Sequence, residues 1–181
     1  MSPRNHAGAP ALREPDRAVA GVDIRDEPLD SPVAQQLIAE LNAELSRDYK
    51  PEERFHSLAA EEVAEGAGAF VVAWLDGEPA GCGAVRMLHA PGLARESGAV
   101  AELKRMYVRP PLRGRGLSRQ ILTELEARAA ALGATTVVLE TGVYQPAAIR
   151  LYETSGYANV PRFGPYVASP TSVCFEKAVM T

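Results

Sequence analysis

Residues 102–122 read ELKRMYVRPPLRGRGLSRQIL. The long, aromatic and β-branched residues of 101–108 predict a strand, and Pro110-Pro111, which cannot extend a sheet ladder, predicts its end. Beyond the prolines, Leu117, Ile121, Leu122, Leu125, Ala129 and Leu132 recur at helical spacing, and Gly133 is placed to stop that helix. Arg113-Gly114-Arg115-Gly116 therefore lies at a helix N-terminus. First-turn amides have no intrahelical acceptor, and the macrodipole adds partial positive charge, so anions bind at such a place. Gly114 and Gly116 would let a phosphate approach the backbone closely, with Arg113 and Arg115 adding charged donors at the rim. A plain turn with solvated charges is the alternative for this motif taken alone.

A second stretch changes that weighing. Residues 145–157, QPAAIRLYETSGY, predict a short helix with Pro146 at its first position and Gly156 just past its end. It follows an apolar strand over 135–141 and precedes another strand near Tyr157.

Together the two motifs resemble the GNAT superfamily of acyl-CoA-dependent N-acyltransferases. The first is similar to the family's pyrophosphate loop, Q/R-x-x-G-x-G/A, met by Arg113 and Gly116, with Ser118 where the family has glycine or alanine. The second is similar to N-x-x-A-x-x-L-Y-E-x-x-G-F/Y, met by Ala148, Leu151, Tyr152, Glu153, Gly156 and Tyr157, with Gln145 in place of asparagine. The resemblance spans roughly residues 21–181 and implies a single α/β domain, with a mixed central sheet of six to seven strands and helices on both faces. It implies acetyl-CoA as acyl donor, held by Met106, Tyr107, Val108, Arg113, Gly114, Arg115, Gly116, Leu117, Ser118 and Gln145. The family's strands part near 106–108, leaving backbone amides for the cofactor and for carbonyl polarisation.

The implied reaction is direct acyl transfer from the thioester to a primary amine. A lysine-like amine, with pKa near ~10.4, is almost wholly charged at neutral pH, so a base is needed. By resemblance, Glu102 is that base, with Glu140 as the alternative, and Tyr152 donates a proton to the departing thiolate. The plainer readings pair Glu102 with Lys104 or Arg105, make Tyr152 a core aromatic, and leave Glu153 facing solvent. Arg86, Lys104 and Arg105 either meet a substrate carboxylate or are solvated strand charges, the second being the simpler expectation. Residues 158–171, carrying Phe163 and Tyr166, are either a loop over the substrate or a cap on the core. The expected acceptor is a small-molecule amine, an amino acid among the candidates. A lysine or N-terminal protein acetyltransferase and a non-catalytic acyl-CoA-binding module are the alternatives, and a homodimer is left open.

The composition agrees. With 181 residues, 46% of them apolar, the chain has material for one core, and a net charge of -4 argues against a general nucleic-acid surface. No apolar run approaches bilayer length and the N-terminus has no signal-peptide core, so a cytoplasmic protein without membrane contact is expected. Cys82 and Cys174 read as buried, reduced thiols, and His6, His56 and His89 lack metal-ligand spacing, so no metal is expected.

Residues 1–20 read as a disordered leader and 21–181 as the domain. Within it, 22–26 predicts a strand, Pro32 opens a helix carrying Val33, Leu37, Leu41 and Leu45, and 59–65 predicts a short helix. Asp76-Gly77 between the apolar runs 70–75 and 80–88 predicts a hairpin, and 172–178 a last strand. A Rossmann site or P-loop fits worse, because neither G-x-G-x-x-G nor Gly-Lys-Ser/Thr is present at the glycine turn.

Overall fold

The computed structural model describes residues 19–53, 58–88 and 98–179. The leader expected over 1–20 falls almost wholly outside these residues, as do His6, His56 and His89. Seven strands form one sheet: β1 (Val22–Asp26), β2 (Gly68–Leu75), β3 (Glu78–Leu88), β4 (Ala99–Val108), β5 (Ala134–Gly142), β6 (Ala158–Val160) and β7 (Ser172–Ala178), in the order β1-β2-β3-β4-β5-β7-β6. All neighbours are antiparallel except β4 and β5, which are joined in parallel through a helical crossover. The β2–β3 hairpin turns at Asp76 and Gly77, whose φ values of 53° and 83° give the primed turn that matches strand twist.

Three α-helices cover the sheet. α1 (Pro32–Asp48) starts with Pro32 in its first turn and the Ser31 hydroxyl accepting from the Ala34 amide at 3.1 Å. It buries Ala34, Leu37 and Leu41 against Phe70, Val72, Cys82, Ala84 and Tyr107. α2 (Leu117–Ala131) lies on the other face, where Leu117, Ile121, Leu122, Leu125 and Ala129 meet Val71, Ala73, Val85, Ala101 and Leu103. α3 (Pro146–Thr154) joins this second core through Tyr152, with Ala148, Ile149 and Leu151 packed on it. The short helix expected over 59–65 is a single 3₁₀ turn, Ala60–Val63. Both cysteines are free and buried, and burial pushes the Cys82 thiol up to about 12. No helix among the described residues is long and apolar enough to cross a membrane.

Two irregularities in β4 position the site. β4 pairs with β5 only from Ala99 to Leu103, where Leu103 faces Leu139, and then diverges, whereas β5 continues beside β7 to Gly142. Along its other edge β4 carries a bulge: Cys82 pairs with Tyr107 and Ala84 with Lys104, so Arg105 and Met106 stand opposite Gly83 alone. Arg105 sits in the left-handed region at φ 59°, and the Cys82 thiol donates to its carbonyl at 3.5 Å. Side-chain alternation changes phase there. Ala101 and Leu103 face α2, Tyr107 faces α1, and Met106 and Val108 return to α2.

The packing of α2 on β3 depends on one notch. A Cβ at Gly83 would lie 2.7 Å from Leu125 Cδ1, and Leu125 is fully buried. Gly83→Ala is expected to destabilise by about 1–3 kcal/mol through overpacking and Leu125→Ala by about 2–5 kcal/mol through the cavity it leaves. The double variant should lose clearly less than the sum, because each change relieves the other. Additive losses in chemical denaturation would show that the two sites do not share this notch.

Candidate active site

The divergence of β4 from β5 opens a wedge that two cavities occupy. The outer one, of about 380 Å³, is walled by α1 through Leu41, Glu44, Leu45 and Asp48, by Met106, Tyr107 and Val108 of β4, by Arg113, Gly114, Leu117 and Ser118, and by residues 144–148 with Leu151 and Tyr152. The inner one, of about 120 Å³, is bounded by Lys104, Arg105, Glu140, Thr141, Tyr49, Glu53 and Tyr166. Leu41, Leu45, Met106, Gln145, Ala148 and Tyr152 border both, so the two meet at Tyr152.

At the outer end, Gly114 and Gly116 have φ values of 75° and 85°, and Gly116 caps α2 without a side-chain cap. The Arg119 and Gln120 amides bond back to the Gly116 carbonyl at 3.1 and 3.2 Å, while those of Leu117 and Ser118 find no backbone acceptor among the described residues. These outward amides suit a phosphate. Arg115 is exposed at this rim. Arg113 is committed elsewhere: its Nε donates to the Val108 carbonyl at 2.8 Å and its guanidinium pairs with Glu44 at 2.6 Å, tying the loop to α1. Arg115 and Gly116 do not line the outer cavity, while the other eight residues expected to hold the cofactor do.

Gln145 differs from its expected part as well. Its side-chain carbonyl accepts from the Thr141 hydroxyl at 2.9 Å and the Gly142 amide at 3.2 Å, fixing the turn between β5 and α3. Only its NH₂ group remains for a ligand. Beside it, the Tyr49 hydroxyl accepts from the Tyr144 amide at 2.9 Å and lies so close to β5 that a Cβ on Gly142 would fall 1.9 Å from it. The Tyr49 and Tyr144 rings also pack tilted against each other, with centroids 5.3 Å apart, Tyr49 on the inner cavity and Tyr144 on the outer.

Tyr152 is 5% exposed and packs edge-on against Tyr157 at 5.7 Å and tilted on Phe175 at 6.0 Å. Its hydroxyl has no hydrogen-bond partner among the described residues, and burial, with Glu140 nearby, raises its pKa above the ordinary phenol value. Glu153 is exposed.

The two carboxylates expected near the wedge are placed differently. Glu102 is 2% exposed and does not line either cavity. Arg86 grips one of its oxygens through Nε at 2.8 Å and Nη2 at 2.6 Å, and the Tyr166 hydroxyl donates to the other at 2.5 Å. Lys104 stands 3.9 Å from Glu102 and donates to the Tyr166 hydroxyl at 3.2 Å, while Arg86 also pairs with Glu62. Glu140 borders the inner cavity. Its pKa is raised, chiefly by burial, against the opposing hydrogen bond from Ser172 at 2.5 Å and the charge of Lys104.

The expectation that Arg86, Lys104 and Arg105 are solvated is overturned. Lys104 and Arg105 are each 9% exposed, and the Arg86 side chain is 15% exposed inside its pair of carboxylates. Tyr166, at 2% exposure, borders the inner cavity with its hydroxyl among these charges and Phe163 packed edge-on at 5.3 Å. Sequence reading gave no weight to Tyr49 or Ser172, and to Tyr166 only a share in a loop. Their partners lie 95, 32 and 64 residues away, and no local pattern signals such contacts.

The chain, whose glycine-capped α2 faces a wedge between parallel strands, belongs to the GNAT acetyltransferase family. The model of that family matches residues 34–157. Membership makes the protein an acyl-CoA N-acyltransferase, of a family that uses acetyl-CoA. Among named relatives, the IAA acetyltransferase of Azospirillum brasilense is 39% identical over 153 residues, spanning 84% of this chain and 94% of that protein. A solved Klebsiella pneumoniae structure named for an acyl-CoA N-acyltransferase superposes with a TM-score of 0.70 at 31% identity, covering 88% of this chain and 98% of that one. A GNAT acetyltransferase of Elizabethkingia anophelis, solved with acetyl-CoA bound, shares the fold at a TM-score of 0.59 and 14% identity, over 89% of this chain and all (100%) of that one.

Any side chain at position 116 must adopt φ 85° and stand beside the outward amides. Gly116→Val is expected to weaken acetyl-CoA at least about 10-fold, through lost backbone approach and a strained cap. Equal affinity in isothermal titration would remove the loop from the cofactor site.

Proposed function

We propose that the protein transfers the acetyl group of acetyl-CoA directly to the primary amine of a small molecule, amino acids among the candidates, in the cytoplasm. The observation that carries this reading is the meeting of the outer and inner cavities at Tyr152, whose hydroxyl has no hydrogen-bond partner among the described residues. Acetyl-CoA supplies the acetyl thioester: its C–S bond breaks as the C–N bond to the amine forms. The Gly114 loop and the first amides of α2 hold the pyrophosphate, and the β4 backbone from Met106 to Val108 lines the path of the pantetheine arm. Amides of that strand freed by the divergence from β5 are placed to polarise a carbonyl oxygen.

Glu140, rather than Glu102, is the proton acceptor in this reading. It borders the inner cavity, and burial raises its affinity for a proton, whereas both oxygens of Glu102 are taken by Arg86 and Tyr166. Tyr152 keeps its proton throughout the working range and donates it to the departing sulfur. The inner cavity of about 120 Å³, bordered by Tyr49, Glu53 and Tyr166, suits a compact amine better than a polypeptide segment. Turnover on lysine peptides but not on free amines would select the protein-acetylating alternative. Saturable acetyl-CoA binding without turnover on any amine would select the binding module.

Tyr152→Phe is expected to lower kcat by about 10²–10⁴ while leaving the Kd for acetyl-CoA within a few-fold. Unchanged turnover would remove Tyr152 from the chemistry. For Glu140 the sign follows from its raised pKa: the base is lost as pH falls through a value above the ordinary carboxylate range, so kcat/KM should drop on the acid side. Glu140→Gln should lower kcat by about 10²-fold or more and abolish that acid limb. Because a raised pKa also makes ionisation of Glu140 unfavourable to folding above the unfolded-state value near ~4.3, this variant should raise Tm at pH 7 and show no advantage below about pH 4. An intact acid limb in the variant would return the role to another group.

A further inference from the structure

The three cations first read as solvated are not equivalent once buried. Arg86 is paired with Glu62 and Glu102, and Lys104 stands against Glu102 and the Tyr166 hydroxyl. Arg105 has no carboxylate within ion-pair distance among the described residues. Its one hydrogen bond there runs from Nη1 to the Asn42 side-chain carbonyl at 3.0 Å. A guanidinium carries five N–H donors, and an unpaired charge 9% exposed is costly to fold around. Its remaining donors are not sealed inside protein, since none is among the fully buried polar atoms left without a partner, and Arg105 lines the inner cavity. Burial lowers its pKa, with no carboxylate among the groups opposing that shift.

The backbone is bent to put it there. In a regular strand consecutive side chains point to opposite faces, yet Lys104 and Arg105 border the same cavity because Arg105 takes φ 59° in the bulge. The outer cavity does not reach Arg105, so the phosphates of the cofactor are not its counter-ion.

We infer that Arg105 anchors a carboxylate of the acceptor, so that the amine acetylated here belongs to an amino carboxylic acid with its acid group facing β4 and its amine facing Glu140 on β5. This assignment rests on the acetyl-transfer reading of the same cavity. It separates an amino acid, which carries both groups, from a simple amine or a lysine side chain within a protein, which brings no acid of its own. Arg105 is then a specificity-determining residue: a buried fork left unpaired by an acceptor without the acid discriminates strongly against it.

The test measures kcat and KM for the twenty common amino acids and for their decarboxylated amines, on the wild-type protein, Arg105→Asn and Arg105→Lys. Asparagine is the side chain best suited to the left-handed backbone at this position, so the first variant keeps the bulge, and lysine keeps the charge without the fork. In the wild type, the best amino acid should exceed its decarboxylated amine in kcat/KM by about 30-fold or more. That ratio should collapse below about 5-fold in Arg105→Asn, through KM rather than kcat, with partial recovery in Arg105→Lys. A wild-type protein that uses amines without preference for the acid overturns the inference and leaves acetyl transfer standing, and this arm does not depend on either variant folding. In parallel, CoA-saturated protein is titrated with the N-acetyl amino acids and the matching N-acetyl amines. Binding of the acids that is lost in Arg105→Asn, without turnover of any amine, keeps the carboxylate anchor and overturns the transfer reading. Absence of both binding and turnover overturns both.

Discussion

β4 and β5 run side by side for a few residues and then separate, and the catalytic architecture follows from that separation. Up to Leu103 and Leu139 the pair is an ordinary parallel ladder buried under α2. Past it, β4 is held only by β3 and β5 only by β7. Backbone amides that a continuous sheet would consume are released on the β4 edge. A ligand with a long, thin arm and a carbonyl at its end suits such an edge. The helix that begins just after β4, at Gly116, puts its positive end at the mouth of the same gap.

Polar groups are concentrated on the β4 side of the gap. Glu62, Arg86, Glu102, Lys104 and Tyr166 form one connected set of polar groups drawn from β3, β4, the turn before β2 and the loop before β7, buried except at its Glu62 end. Buried ion pairs contribute little net stability compared with apolar packing, but removing one partner strands the other. Such a set fixes geometry more than it adds to stability. Glu102 is the centre of this set, whereas Glu140, one strand over, borders the inner cavity and accepts a hydrogen bond from Ser172.

Much of this was legible in the chain and some was not. The strand over Ala99–Val108, the helices Leu117–Ala131 and Pro146–Thr154 and the turn at Asp76-Gly77 are written in local signals: β-branched runs, helical spacing, prolines at first turns and glycines at ends. The glycine loop and Tyr152 could be found because their spacing is short-range. The bulge at Arg105 could not, since it exists only through mismatched pairing with Gly83 on another strand. Nor could the fate of the cations: Arg86, Lys104 and Arg105 look alike in a sequence, and their separation into paired and unpaired depends on contacts across 16 to 64 residues. Arg113 was legible as a cation beside a glycine turn, but its commitment to Glu44 depends on where α1 lies.

That commitment belongs to a series. Arg109 forks onto Glu40 at 2.8 and 3.0 Å, Arg113 meets Glu44 one helical turn further on, and Arg105 reaches Asn42 between them. The face of α1 that walls the groove is thus fastened to β4 and the loop after it by polar ties, of which the two ion pairs, Arg109–Glu40 and Arg113–Glu44, are partly exposed, each worth at most about 1 kcal/mol and screened by salt. The width of the groove is therefore coupled to ionic strength independently of any charge on the ligand. Raising salt loosens one wall while also weakening phosphate contacts, and the two effects compound in the same direction. A salt titration of cofactor affinity in this protein reports on the seating of a helix as well as on the number of phosphates held.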